Sequence, residues 1–200
     1  MSPSFPHLAI RYALIALAFG APLSATAATL AFTGTEMNDT PPPTMSALCS
    51  PGQVRVAFSP ATATESAHSN FGDFTLTMGH CLSLPPTSYS GGVFDFTFAA
   101  GDDLFGTYSG FFSPTGVANI LNNTVNFVAT GGTGRFLGAS GMFQGIGTLD
   151  RSVPRPLNNS VLSGTLDLPA VPEPATWISM ILGFGFAGAA LRGRRTVLTS

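Results

Sequence analysis

Apolar and polar residues alternate with a period of two along most of the middle of the chain. The clearest cases are residues 74–78 (FTLTM) and 94–98 (FDFTF), in which every second residue is apolar. This period is typical of a strand with one buried and one solvent-exposed face, whereas an amphipathic helix repeats every 3.6 residues. Weaker examples of the same alternation occur elsewhere in the region: VRVAF, LFGTYSGFF, TVNFVA, MFQGIGTL and VLSGTLDL.

Segments rich in glycine, proline, asparagine and serine separate these strands, as in residues 69–73 (SNFGD) and 130–134 (TGGTG). Roughly seven or eight short strands, spaced roughly 8 to 15 residues apart, predict a mainly β fold, either an antiparallel β-barrel or a β-sandwich. We favour the barrel because its closure removes exposed edge strands. Glycines inside strands, such as Gly106 and Gly145, suit the tight bends of a small barrel.

Residues 1–27 have the features of a secretory signal peptide, with a helical apolar core. Arg11 precedes an apolar run of about ten residues, and Ala25 and Ala27 occupy the small-residue positions of an A-x-A cleavage site. The run is too short to cross a bilayer, which needs roughly 20 residues in a helix. We therefore predict cleavage after Ala27 and an exported domain at residues 28–170.

A second apolar run, at residues 175–191, contains no charged residue. As a helix it would extend about 26 Å, near the lower limit for crossing the hydrocarbon of a membrane. Trp177 lies near one end, where an aromatic ring suits the headgroup layer, and arginines at the other end indicate the cytoplasmic side: Arg192, Arg194 and Arg195. The pattern predicts a single transmembrane helix with the preceding domain outside the cytoplasm.

The segment before this run contains the tripeptide Pro172-Glu173-Pro174, whose prolines favour an extended backbone. The tripeptide, Trp177, the apolar run and the terminal arginines together resemble the PEP-CTERM protein-sorting signal of Gram-negative bacteria, here at residues 171–200. The resemblance implies cleavage near the tripeptide by exosortase, a membrane transpeptidase of bacteria that produce exopolysaccharide. It also makes extracellular polysaccharide a second candidate partner.

Two glycine-rich segments, residues 101–110 (GDDLFGTYSG) and 129–149 (ATGGTGRFLGASGMFQGIGTL), carry a further resemblance. They are similar to secreted bacterial domains that resemble the barrels of the allene oxide cyclase and dirigent group. The resemblance implies a barrel fold. It does not imply their activity, because we can place no catalytic acid, base or oxyanion group of those enzymes on a matching residue.

Charged residues make up only 9% of the chain, and all eight cations are arginines. No basic patch with interleaved aromatic residues is present, so we predict no nucleic-acid partner. His68, His80 and Cys81 lack the spacing of metal ligands, and residues 131–135 (GGTGR) lack the lysine of a phosphate-binding loop. We therefore predict no metal and no cofactor, and interpret GGTGR as a turn with Arg135 at the rim of the barrel.

Cys49 and Cys81 are the only cysteines of the chain, and both lie in the predicted exported domain. Two lone thiols in an oxidising compartment usually pair, so we predict a disulfide with a Cα separation of about 4.4 to 6.8 Å. The alternative is a free catalytic Cys81 beside His80. That alternative lacks a third residue to orient the histidine.

The leading functional hypothesis is a non-enzymatic, exported protein of the envelope or the extracellular matrix. One alternative is a barrel enzyme or small-ligand carrier of the cyclase or calycin type. Another is a surface glycan-binding module, in which exposed Tyr89, Tyr108 and Phe111 stack on sugars.

The barrel interior distinguishes these hypotheses. An aromatic interior without free space favours a purely structural role, and a cavity of several hundred Å³ with converging polar groups favours a carrier or an enzyme. The residues expected to fill the interior are Phe94, Phe96, Phe98 and Phe127.

Overall fold

The computed structural model describes residues 27–60, 65–84, 87–169 and 181–185. The chain divides into two compact units, one at residues 26–171 and one made of residues 1–25 and 172–200. In the second unit residues 181–185 are helical. None of the helices within the described ranges is both long and apolar enough to cross a membrane.

Most residues of the predicted signal peptide and sorting signal lie outside the described ranges. They include one of the two predicted cleavage-site alanines and most of the transmembrane helix predicted at residues 175–191. The boundaries of these segments and the exported domain at residues 28–170 therefore stay predictions. The predicted site residues outside the described ranges are Ala25, Pro172, Glu173, Pro174, Trp177, Arg192, Arg194 and Arg195.

The described part of the first unit consists of antiparallel strands and one short 3₁₀ helix. The strands are β1 (Ala28–Asp39), β2 (Gln53–Phe58), β3 (Glu65–Ser69), β4 (Gly72–Ser83), β5 (Ser88–Phe98), β6 (Asp103–Pro114), β7 (Ile120–Gly132), β8 (Ser140–Asp150) and β9 (Leu157–Leu168). The 3₁₀ helix, Gly134–Phe136, lies between β7 and β8.

The strands close into a barrel. Strands β4 to β8 each pair with the next strand along the chain, and β9 returns to pair with β1 over the whole length of β1. β1 pairs with β3, and β3 pairs with β4 to complete an eight-stranded antiparallel ring. β2 pairs with β4 as well, on the edge not used by β5. The predicted barrel is confirmed, and the sandwich alternative is wrong.

Two of these strands, β1 and β3, were not expected from the alternation of apolar and polar residues. In β1 the buried positions include Glu36 and Asn38, while Met37 between them is 42% exposed. β3 (ESAHS) has one buried residue, Ala67. A strand with polar side chains inside and an apolar one outside gives no hydrophobic alternation, although its backbone pairs normally.

Aromatic rings fill one half of the barrel interior. The rings of Phe127 and Phe143 stack with centroids 4.7 Å apart, and Phe32 lies 4.5 Å from Phe143. The predicted interior residues are confirmed here, since all four are at most 3% exposed. This phenylalanine core consists of Phe32, Phe74, Phe94, Phe96, Phe98, Phe127, Phe136 and Phe143.

The GGTGR segment closes the barrel at the end next to the phenylalanine core. The guanidinium of Arg135 bonds the carboxylate of Asp102, with Nε 2.9 Å from Oδ2, and lies 5.0 Å and 5.1 Å from the ring centroids of Phe98 and Phe136. The segment thus runs from the last two residues of β7 into the 3₁₀ helix rather than forming a simple hairpin turn, and it places Arg135 at the rim as predicted. The barrel cavity lies at the opposite end.

The predicted disulfide is confirmed. Cys49 and Cys81 are bonded, with their Cα atoms 5.5 Å apart. Cys81 belongs to β4, whereas Cys49 lies in the irregular segment between β1 and β2. The bond therefore ties this segment to the barrel wall and excludes a free catalytic thiol at Cys81.

Candidate functional site

A cavity of about 290 Å³ lies inside the barrel at the end where β1, β4 and β6 finish and β5, β7 and β9 begin. Apolar side chains from five strands form much of its wall, and the polar side chains come from β1, β4, β5, β6, β7 and β9. The apolar residues of the wall include Val56, Phe58, Met78, Leu82, Val125 and Leu149.

The strand register brings the polar residues together. Glu36 of β1 is directly opposite Ser160 of β9, and Asn38 is opposite Asn158. Alternate residues of a strand share a face, so the side chains of this set point into the barrel. On β8, Gly147 lies between Ser160 and Asn123 of β7 and contributes no side chain.

A chain of hydrogen bonds links four of these side chains across the barrel. Tyr89 Oη donates to Asn123 Oδ1 at 2.7 Å, and Asn123 Nδ2 donates to Asn158 Oδ1 at 2.8 Å. Asn158 Nδ2 in turn donates to Glu36 Oε1 at 3.3 Å. The chain therefore holds one oxygen of the Glu36 carboxylate in a defined position.

Two buried oxygen atoms of the cavity have no hydrogen-bond partner among the described residues, Glu36 Oε2 and Asn38 Oδ1. Their residues are only 2% and 4% exposed, and both line the cavity. Burial raises the pKa of Glu36 to about 7, the hydrogen bond from Asn158 opposes this rise, and the nearby charge of Glu65 adds to it. The cavity thus contains a carboxyl group that titrates near neutral pH.

His80 and two tyrosines form a second polar group in the wall. His80 Nδ1 lies 2.8 Å from Tyr108 Oη, and its ring stacks on Tyr89 at a centroid distance of 4.5 Å. Burial, and to a smaller extent the positive charge of Arg55, lowers the pKa of His80 to about 4. Burial raises the pKa of both tyrosines. All three side chains are therefore neutral at pH 7, which leaves Glu36 as the group that titrates there.

The predicted row of exposed aromatic residues for glycan binding is wrong at two of its three positions. Tyr89 and Tyr108 are only 4% and 3% exposed, and only Phe111 is accessible, at 48%. Gly110 is paired with Tyr89, and a Cβ at Gly110 would overlap the tyrosine ring. The glycine makes room for the ring inside the barrel, so Tyr89 faces the cavity rather than solvent.

The two histidines considered for metal binding lie on different faces of the barrel wall. His68 is on the outside, where its Nδ1 lies 2.6 Å from Asp73 Oδ1, whereas His80 lines the cavity. Within the described residues, no three His, Cys, Asp or Glu side chains gather as a metal site would require.

Sequence reasoning missed the central residues of the cavity. Glu36 and Asn38 lie in a strand that was not expected, and Asn123 and Asn158 each belong to an Asn-Asn pair at a strand start. The available signal was weak: polar residues at every second position of residues 36–40 (EMNDT). Glu36 and Asn158 are 122 residues apart in the sequence. They become neighbours only because β1 pairs with β9.

Comparison with known proteins bears on the segment that follows the barrel. Residues 170–195 match the family described as the PEP-CTERM protein-sorting motif. No curated protein and no solved structure matches the chain. The matched range contains every residue that we named as part of the motif, from Pro172 to Arg195, and ends five residues before the end of the predicted segment 171–200. The chain is therefore a β-barrel domain followed by a PEP-CTERM protein-sorting motif.

Proposed function

We propose that this protein is an exported, non-enzymatic binding protein that holds a small molecule in the barrel cavity. The observation that carries the proposal is the cavity of about 290 Å³ with an apolar wall and buried, unpartnered polar oxygens. Ligand pockets typically combine apolar walls with a few polar groups that orient the ligand.

The buried polar groups argue against a purely structural role for the whole barrel. An unpartnered buried polar atom costs free energy, and a buried carboxylate costs more. The phenylalanine core stabilises its half of the barrel without such groups. A ligand that satisfies Glu36 and Asn38 explains why the other half retains them.

The chemistry of the wall favours binding over catalysis. Cys81 is held in a disulfide and is therefore no free nucleophile, and burial raises the pKa of Tyr108, the hydroxyl that His80 bonds, which keeps this hydroxyl protonated. The low pKa of His80 keeps its ring neutral, which makes it a weak proton acceptor at pH 7.

The sorting motif supports export of the chain and processing by exosortase, a membrane enzyme. We propose in addition that the barrel faces outward from the membrane, anchored by a helix at about residues 175–191 until cleavage. The cut protein then remains in the envelope or is released into the extracellular polysaccharide. Export and exosortase processing together place the binding protein on the exterior of the cell.

The binding function is tested with small neutral molecules. An engineered apolar cavity of about 150 Å³ binds benzene, so a cavity of twice that volume suits molecules of about 6 to 12 non-hydrogen atoms. We expect 2-phenylethanol and related molecules to bind the full-length protein in lipid nanodiscs, measured by calorimetry against empty nanodiscs.

A matched pair of variants on β7 locates the binding. Val125 lines the cavity and is 3% exposed, whereas Val128 is 41% exposed on the outer face. Val125→Phe fills the cavity and should abolish binding of the neutral molecules, while Val128→Phe should leave it unchanged. Equal binding by the two variants, or no binding by the wild type, would refute the proposal.

A further inference from the structure

We propose that the ligand of the cavity is a small molecule with an ammonium group at one end and an apolar body, the ammonium donating hydrogen bonds to Glu36 Oε2 and Asn38 Oδ1. This inference rests on the proposed binding function and adds the chemical class of the ligand.

The first argument concerns the polar atoms of the cavity that lack a hydrogen-bond partner. Both unpartnered atoms are oxygens of side chains that line the cavity, and both are acceptors when Glu36 is ionised. The neighbouring Asn158 already donates its amide hydrogens, to Glu36 Oε1 and to Ser160 Oγ, each at 3.3 Å. The missing partner is therefore a donor, and a ligand carboxylate or phosphate would meet Glu36 with the same charge.

The second step distinguishes an ammonium group from a hydroxyl group. Glu36 and Asn38 are two residues apart on one strand, so their Cβ atoms lie roughly 6.6 Å apart on the same face. One nitrogen between the two side chains can donate to both, since each hydrogen bond spans about 2.9 Å. An ammonium has three hydrogens, as in lysine, whereas a hydroxyl has one and satisfies only one of the two oxygens.

The third step concerns the rest of the ligand. The cavity wall away from β1 carries aliphatic and thioether side chains, among them Val56, Met78 and Leu149. These groups form no hydrogen bonds, so the ligand body that they surround is apolar. The cavity volume limits this body to about 12 non-hydrogen atoms, by comparison with benzene in a cavity of about 150 Å³.

The charges around Glu36 are mixed. Glu65 of β3 adds negative charge near Glu36. The positive charge of Arg55 on β2 lowers the pKa of His80 and opposes the rise in the pKa of Tyr108. Arg151, just after β8, lines the cavity. The remaining titratable groups that face the cavity are His80 of β4, Tyr89 of β5 and Tyr108 of β6, all neutral at pH 7. Among the described residues that line the cavity, the ionised Glu36 is therefore the negative charge that attracts a ligand ammonium, and Arg151 is a positive charge that opposes this attraction.

The proposal is tested with three probes of similar size, 2-phenylethylamine, 2-phenylethanol and phenylacetate, by calorimetry on the full-length protein in nanodiscs. We expect the amine to bind at least tenfold more tightly than the alcohol at pH 8, and phenylacetate to bind least. The affinity for the amine should rise about tenfold between pH 6 and pH 8 as Glu36, with a pKa of about 7, loses its proton. The affinity for the alcohol should not rise over this range.

Glu36→Gln removes the charge and keeps the size of the side chain. It should lower the affinity for the amine at least tenfold and abolish its rise with pH, with little effect on the alcohol. Asp167→Asn, which removes an exposed carboxylate on β9, is the control and should change neither affinity.

A second measurement does not depend on the folding of any variant. Binding of the amine to the wild type at pH 7 should release protons, because the ammonium stabilises the ionised form of Glu36. Calorimetry in two buffers with different ionisation enthalpies measures this release. If the alcohol binds but the amine binds no more tightly and releases no proton, the ammonium assignment is wrong and the binding function stands. If none of the three probes binds, both are overturned.

Discussion

Glu36 places a carboxyl group in the interior of the barrel. Its carboxyl group is buried, accepts one hydrogen bond from Asn158 at Oε1 and has no partner at Oε2 among the described residues. Burial favours the protonated form, which is why the pKa of this group rises to about 7 from its usual 4.5. Folding therefore requires either a proton on Glu36 or the free energy to bury a negative charge.

This requirement predicts how stability depends on pH. The pKa of Glu36 is higher in the folded than in the unfolded state. The contribution of Glu36 to the free energy of unfolding is therefore greatest below about pH 4.5 and is lost as the pH rises through about 7. The loss is on the order of 3 kcal/mol at pH 8, from about 1.4 kcal/mol per pKa unit. Glu36→Gln should remove this loss, so its stability relative to the wild type should increase by about 2 to 3 kcal/mol between pH 5 and pH 8.

Urea unfolding of the full chain at the two pH values, followed by circular dichroism, measures the difference. Asp167→Asn serves as the control, because its carboxylate is exposed on β9. An identical pH dependence in Glu36→Gln and the wild type would show that the carboxyl group is not buried as described.

At the scale of the strands, glycines set how closely neighbouring elements approach. Gly110 of β6 faces the ring of Tyr89, and a Cβ there would overlap both that ring and the carbonyl oxygen of Thr124. Gly145 of β8 is in a looser environment, where a Cβ would lie 3.1 Å from Leu162 Cδ2 and in ordinary contact with its other neighbours. Both glycines are inside strands without positive φ, so the comparison isolates packing.

We therefore predict that Gly110→Ala destabilises the barrel by about 1 to 3 kcal/mol, the usual cost of overpacking. Gly145→Ala should cost less, because one flexible leucine methyl group can move. Thermal unfolding of the two variants tests the order, and a larger loss for Gly145→Ala would contradict the packing described for Tyr89.

The disulfide also acts between elements, since it joins β4 to the irregular segment before β2. Cys49 and Cys81 are 32 residues apart, and a closed loop of this length stabilises a protein by roughly 3 to 4 kcal/mol through the entropy of the unfolded chain. Replacing both cysteines with alanine should lower the free energy of unfolding by that amount. Reducing the disulfide of the wild type should lower the free energy of unfolding equally, whereas the same reductant should not affect the double variant. Free thiols in the denatured, unreduced wild type would contradict the bond.

At the scale of the whole molecule, we propose separate roles for the barrel and the sorting motif. The motif supports processing by exosortase, and the proposed cavity function requires the barrel alone. A binding domain that folds independently of its sorting segment retains its ligand site after that segment is cut away. We therefore expect processing to leave ligand binding intact.

Processing itself is predicted near Pro172-Glu173-Pro174. In a host with exosortase, the intact mass of the released protein should correspond to a chain that ends near this tripeptide, without Trp177 or Arg195. In the same host with its exosortase gene deleted, both residues should remain. Released protein that keeps them in the presence of exosortase would refute the predicted cut.

Three features of this protein could be predicted from the sequence because each depends on residues close together or on a simple count. Period-two alternation in residues 74–78 and 94–98 indicates half-buried strands regardless of their partners. The sorting motif depends on the order of residues in one short segment. The disulfide follows from there being two cysteines in an exported domain.

Only the tertiary structure decided where the polar interior lies and what it contains. Glu36 meets Asn158 because β1 pairs with β9, and the closure of the barrel brings Tyr89 and Asn123 to the same cavity. The alternation of residues along a strand shows that its two faces differ. When the buried residues are polar, the alternation does not show which face points into the barrel. That choice depends on the long-range strand register, because a shift by one residue would turn the Glu36 side chain from the cavity to solvent.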